Sequence, residues 1–143
     1  ALDLGIAEET TPGLVGEPWR HDPLVLVAAP SLPLPAGLRG APVVTFPRAA
    51  SLRAAVDRLL PEAEIAVELG SVAAVLGHVR AGLGLALLSR STAADDLKVG
   101  RLIEVPGPRP PERSLLLVHR GVDTLPPAAA ALRALLLAPL SAA

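Results

Sequence analysis

Five hydroxyl side chains sit where this chain should pass from strand to helix. Thr45 and Ser51 flank one junction, Ser71 a second, and Ser89 with Ser91 a third. The three junctions span Thr45 to Leu52, Leu69 to Val72, and Ser89 to Ser91. The chemistry such places offer is the binding of an anion or a polar ligand. First-turn amides have no intrahelical partner, and the helix dipole presents its positive end there. Any one of these hydroxyls, taken alone, is most simply a cap or turn residue. Three of them along one sheet edge make a ligand site an equally good account.

Other reactive types are too scattered to work together. His21, His78 and His119 lack metal-ligand spacing and read as solvated or hydrogen-bonded structural histidines. Glu62, Glu64 and Glu68 alternate, which in a strand puts them on one face. A solvated strand entry explains them more simply than a metal or an acid–base role. Asp95 and Asp96 read as surface charge. Gly82 and Gly84 form only a Gly-Leu-Gly pair, with no phosphate-cradling loop around it. No nucleophile elbow occurs either. Enzymatic function has no positive support, and neither cofactor nor metal is expected.

The elements that must position the hydroxyls are clearest from Glu68 to Ser91. Ser71 stands at an N-cap position, and Val72, Val75, Leu76 and Val79 recur at i, i+3, i+4 and i+7. Gly82 follows as a helix stop. Leu83 to Leu88 is nearly all apolar, as in a parallel strand covered on both faces. Upstream, Pro23 to Ala29 reads as a strong strand and Val43 to Phe46 as a brief one. Ser51 is expected to cap a helix whose Leu52, Val56, Leu59 and Leu60 share a face before Pro61. Glu64 to Leu69 is the next strand. Ser91 to Leu97 reads as a short helix, Arg101 to Val105 and Arg113 to His119 as strands, and Pro126 opens a final helix. Leu2 to Ala7 is a short strand, and Leu14 to Arg20 is irregular or an edge strand. The middle is therefore β-α-β-α-β-α-β, a parallel or mixed sheet with helices on it.

Composition narrows the function classes. Hydrophobic residues make up 51% of the 143, yet Trp19 and Phe46 are the only aromatics. The core must be aliphatic, and base-stacking platforms for single strands are absent. A net charge of −1 without a basic patch argues against duplex binding by this segment. With no cysteine, disulfides and thiolate metal sites are excluded. Lys98 is the single lysine among 13 basic residues, a bias typical of GC-rich bacterial genes. Arg133 and prolines interrupt the longest apolar run, so no membrane span or membrane partner is expected, and no signal peptide is recognised at the start.

Together these stretches resemble the effector-binding domain of LysR-type transcriptional regulators. The resemblance rests on LDLGI, PLVLVAAPSLPL, ELGSVAAVLGHVRAGLGLALLSRS, LKVGRLIEVP, RSLLLVHRG and LPPAAAALRALL in this order and spacing. It implies an α/β, type 2 periplasmic-binding-protein-like fold of two Rossmann-like lobes joined by crossover strands. Residues 1–22 would be a remnant of the first lobe. Residues 23–116 would form a complete second lobe with crossover strands, and 117–143 would return to the first lobe with its terminal helix.

The resemblance further implies a cytoplasmic, ligand-sensing domain that binds a small-molecule effector between lobes, forms a homodimer, and touches DNA only through a winged helix-turn-helix outside this sequence. Carried over by position, Ala50, Ser51 and Leu52 contact effector from the second lobe, and Glu8 faces it from the first. Thr45, Ser71, Val72 and Ser89 complete the expected site. An acid at position 8 repels a carboxylate, so the expected effector is neutral or amine-bearing, or there is none; a solvated loop acid is the simpler account of Glu8. A partial first lobe would leave the Leu2 strand and the Leu132, Leu135, Leu136 face uncovered, which favours association. The alternative class is a periplasmic-type solute-binding protein, which shares this fold.

Overall fold

A computed structural model of the chain describes residues 2–139. The strands are β1 (Leu4–Ala7), β2 (Val15–His21), β3 (Leu24–Ala28), β4 (Pro42–Thr45), β5 (Glu64–Glu68), β6 (Ala86–Ser89), β7 (Ile103–Glu104) and β8 (Ser114–His119). The helices are α1 (Ser51–Leu59), α2 (Val72–Arg80), α3 (Arg90–Lys98) and α4 (Pro127–Leu137). The chain divides into two compact units, one of residues 2–22 with 113–139 and one spanning Pro23–Glu112.

The first unit is a three-stranded antiparallel sheet in the order β1-β8-β2. All of β8 pairs within it, although the sequence boundary at Leu116 falls inside that strand. The stretch from Leu14 to Arg20, left open between coil and edge strand, is β2 with a register shift between Pro18 and Arg20. Such a bulge re-aims the extra residue. Here that residue is Trp19, whose indole Nε1 donates to the Leu136 carbonyl of α4 at 2.9 Å. A polar tie lies beside it. Arg133 of α4 grips both carboxylate oxygens of Glu17, and buried His119 meets Glu17 Oε2 at 2.9 Å.

In the second unit, β4 and β5 pair in parallel, while β3 pairs antiparallel with both β6 and β7. A parallel bridge from Val43 to Leu85 links the two sets. The strand order is thus β5-β4-β6-β3-β7, a mixed sheet. Of the parallel or mixed sheet expected, the structure has the mixed one, and the run from Leu83 to Leu88 leads into a strand parallel to β4 but antiparallel to β3. Its apolar run has the same physical cause, burial on both faces.

Alternation along the strands sorts the core into two layers. Leu24, Leu26, Ala28, Val43, Leu85 and Leu87 face α1, where they meet Ala55, Val56 and Leu60. Val25, Val27, Val44, Ala86 and Leu88 face α2 and α3, where they meet Val75, Val79 and Ala93. Each buried Leu or Val contributes about 1.5–3 kcal/mol, so this double layer dominates the unit's stability. Gly84 lies at the tightest point. A Cβ there would stand 2.8 Å from the Pro42 carbonyl oxygen, which is why this backbone crossing needs glycine.

Candidate functional site at the carboxyl edge of β4, β5 and β6

The three strands run in the same direction and end on one edge. Thr45 and Glu68 are the last paired rung of β4 and β5, and Leu69 N–H closes the ladder on the Thr45 carbonyl at 2.8 Å. β6 ends on the same side, since Val43 bridges Leu85 in parallel. Helices α1, α2 and α3 start from this edge, so their first-turn amides collect there. In open α/β sheets this is where ligands bind.

Thr45 is the most unusual residue of the set. It is 1% exposed, and its Oγ1 has no hydrogen-bond partner among the described residues. A buried hydroxyl left without a partner costs about 1–3 kcal/mol.

The cap of α1 differs from the sequence expectation. Ala50 occupies the N-cap with φ −82° and ψ 139°, and Ser51 is the first helical residue. Ser51 therefore does not cap this helix. Alanine has no side-chain acceptor, so α1 starts without a side-chain cap, and the Arg53 and Ala54 amides both turn to the Ala50 carbonyl, at 3.1 and 3.3 Å. Leu52 is half-buried and packs against both apolar layers.

The second junction follows the expectation closely. Ser71 is the N-cap of α2, and its Oγ accepts the Ala74 amide at 3.2 Å. Val72 is the first helical residue and is exposed. The far end closes through Gly82 at φ +77°, with Gly82 N–H on the Val79 carbonyl and Leu83 N–H on the His78 carbonyl. At the third junction Ser89 occupies the N-cap of α3 but gives no side-chain cap. Its Oγ lies 2.8 Å from Ser91 Oγ instead.

Glu8 belongs to the first unit, following β1. Its Oε1 lies 3.3 Å from Arg113 Nη1, and Arg113 Nε lies 3.0 Å from Asp22 Oδ2. The Asp22 contact is an ion pair by distance without hydrogen-bond alignment. Glu8 is therefore a compensated acid, not a bare one.

Two residues of this edge escaped the sequence. Arg53 is buried in the first turn of α1, with Nε on Asp57 Oδ1 at 2.8 Å and Nη1 on the Glu68 carboxylate. The Asp57 and Glu68 carboxylates raise its pKa above the ordinary arginine value. Glu68, read as a solvated acid, is the other half of that pair. The available signal was Arg53 placed among the apolar positions Leu52 and Val56, with Asp57 one turn on. Asp96 is similar. It was read as surface charge but is buried between Arg80 and Arg101, which hold its carboxyl below the ordinary range despite burial. No cluster of His, Cys, Asp and Glu able to hold a metal exists among the described residues. None of the described helices is long and apolar enough to cross a membrane.

Residues 1–140 match the family described as LysR substrate binding domain. The uncharacterized HTH-type transcriptional regulator YeiE of Escherichia coli (strain K12) is 38% identical over 131 residues, covering 82% of this chain and 45% of YeiE. The chain thus spans less than half of that relative's length. The CcmR regulatory domain of Synechocystis PCC6803, solved in complex with 2-PG, aligns with a TM-score of 0.78 at 21% identity, covering 94% of this chain and 72% of that one. Full-length LysG of Corynebacterium glutamicum, with bound effector Arg, aligns at 0.72 and 21% identity, covering 95% and 49%. The structural likenesses carry the two-lobed periplasmic-binding-protein-like fold.

Proposed function

The chain belongs to the LysR substrate binding domain family, and on that premise we propose that it is the ligand-sensing part of a bacterial LysR-type transcription factor. A small-molecule effector hydrogen-bonds to Thr45 and sits against the start of α1 at Ala50, Ser51 and Leu52, with Ser71, Val72 and Ser89 completing the second unit's edge. The observation that carries this reading is the Thr45 hydroxyl, buried and unpartnered beside a helix start without a side-chain cap. CcmR, solved with 2-PG, and LysG, solved with effector Arg, are precedents for a small-molecule effector in this fold.

The effector is neutral or amine-bearing, because the acid at position 8 disfavours an added carboxylate. The Arg113 partner weakens that effect, so it sets a preference and not a strict exclusion. In this reading the domain is not an enzyme and acts in the cytoplasm. DNA is contacted through a winged helix-turn-helix, which the described residues do not contain. The exposed Leu132 and Leu135 of α4 are covered by a second copy, a homodimer that light scattering would register.

Calorimetric titration with L-arginine, shikimate and succinate tests the site. Saturable binding of the amine-bearing L-arginine, tighter than that of the acids shikimate and succinate and weakened at least tenfold by Thr45→Val, is the expected result. Binding of none of them, or binding indifferent to Thr45→Val, rejects it.

A further inference from the structure

We propose that Arg53 is a positioning residue: it sets the start of α1 against the end of β5 before any effector arrives. A cation is out of place in a helix's first turn, where the dipole's positive end opposes it. Burial makes it costlier still, since Arg53 is 3% exposed. Helix stability therefore does not explain its presence. Its partners do.

The guanidinium reaches three different places. Nε takes Asp57 on α1 itself at 2.8 Å. Nη1 takes the Glu68 carboxylate at the end of β5. The same nitrogen approaches the Phe46 carbonyl, in the turn leaving β4, at 3.5 Å. The planar fork of arginine serves these directions at once, whereas a lysine ammonium on its single flexible stem would serve fewer. The tether thus spans the turn before α1, the first turn of α1, and the strand end opposite Thr45. It holds the Ser51 and Leu52 amides and the Thr45 hydroxyl at a fixed separation. A site so fixed does not spend binding energy on ordering itself.

The value of this tether to an effector rests on the proposed function, but the tether itself does not. Amide hydrogen exchange on the whole chain, set beside thermal denaturation, tests it without any ligand. Arg53→Met should speed exchange in residues 47–53 and 69–73 tenfold or more beyond any change in β3. Arg53→Lys should restore less than half of that protection. Asp57→Asn should leave both segments near wild type, since that contact lies within α1 alone. If Arg53→Met does not fold, Glu68→Gln should produce the same local loosening.

A rise equal in β3 and in the turn would overturn the proposal, leaving Arg53 a general stability residue. Full restoration by lysine would overturn it too. Failure of the calorimetry with intact local exchange effects would count against the effector reading and not against the tether.

Discussion

Thr45 and Glu68 face each other on the last rung of the β4–β5 ladder, and their side chains have opposite fates. The Glu68 carboxylate is engaged by Arg53, while the Thr45 hydroxyl is buried without a partner. In a parallel pair, neighbours on one rung project to the same face. One member of the rung is thus tied to α1, and the other has no hydrogen-bond partner among the described residues. A buried polar group in that state is a local cost that function explains better than folding does.

That cost gives the first prediction. Thr45→Val replaces the orphan hydroxyl with a methyl of similar size. In the ligand-free chain it should stabilise the second unit by about 1 kcal/mol, the scale of an unmet buried hydrogen bond. Thermal denaturation should show Tm rising by a few degrees. A fall in Tm would mean that the hydroxyl already has a partner, such as an ordered water, and would remove the main support for the site.

The two helix starts give a contrasting pair. Ser71→Ala removes the acceptor of the Ala74 amide and should cost about 0.5–2 kcal/mol. Ala50→Ser supplies the acceptor that α1 lacks and should stabilise by about 0.5–1 kcal/mol. The added hydroxyl competes for amides that the effector would use, so binding should weaken as stability rises. Denaturant titration and calorimetry on the same two variants separate these effects. A gain in both stability and affinity for Ala50→Ser would contradict the assignment of the α1 amides.

Much of this was legible in the residues because period and punctuation agreed. Ser71, the Val72–Val79 stripe and Gly82 follow one another at helical spacing, and the structure closes α2 at both ends as that order implies. The alternation of Leu24, Leu26 and Ala28 with Val25 and Val27 was hidden inside a uniformly apolar run, so the two layers emerged only in three dimensions. Ser51 misled because its hydroxyl is one residue late for a cap, a shift of the size at which helix ends are ambiguous. Arg53 and Asp96 were harder to read for a different reason. Charge looks like surface until its partners are known, and although Asp57 and Arg101 lie close in sequence, the partners that tie these residues to other elements lie 15 and 16 residues away.

The two glycines of the Gly-Leu-Gly pair should fail differently. Gly82→Ala places a Cβ on a left-handed backbone at φ +77° and should cost about 1–2 kcal/mol while α2 stays in place. Gly84→Ala puts a methyl 2.8 Å from the backbone oxygen of Pro42, which has no side-chain freedom to yield. It should force β4 and β6 apart and cost more than Gly82→Ala. Denaturation midpoints rank the two. Equal losses would mean the β4–β6 crossing is looser than the Val43–Leu85 bridge implies.

Acid should loosen the first unit through Glu17. The Arg133 hydrogen bond, opposed by burial and assisted by His119, lowers the Glu17 pKa from its ordinary 4.5 to about 2. A carboxyl with a depressed folded pKa stabilises the fold fully above its unfolded value. The unfolded chain takes up the proton first as pH falls, so that stability drains away between about 4.5 and about 2. Asp96 acts in the same direction in the second unit, where Arg80 and Arg101 hold its carboxyl down. Trp19 separates the two contributions. It is the sole tryptophan, and its indole is bonded to Leu136 on the helix that also carries Arg133. Tryptophan fluorescence during acid titration therefore reports the first unit. Glu17→Gln should lower stability at neutral pH and flatten its fall through this window, and Arg133→Met should do the same by removing the largest cause. His119 Nδ1 accepts the Gly121 amide at 3.1 Å, which leaves Nε2 as the donor to Glu17, so His119→Gln should flatten the profile less than Arg133→Met. A Trp19 acid transition that keeps its slope in Glu17→Gln would assign the acid sensitivity elsewhere.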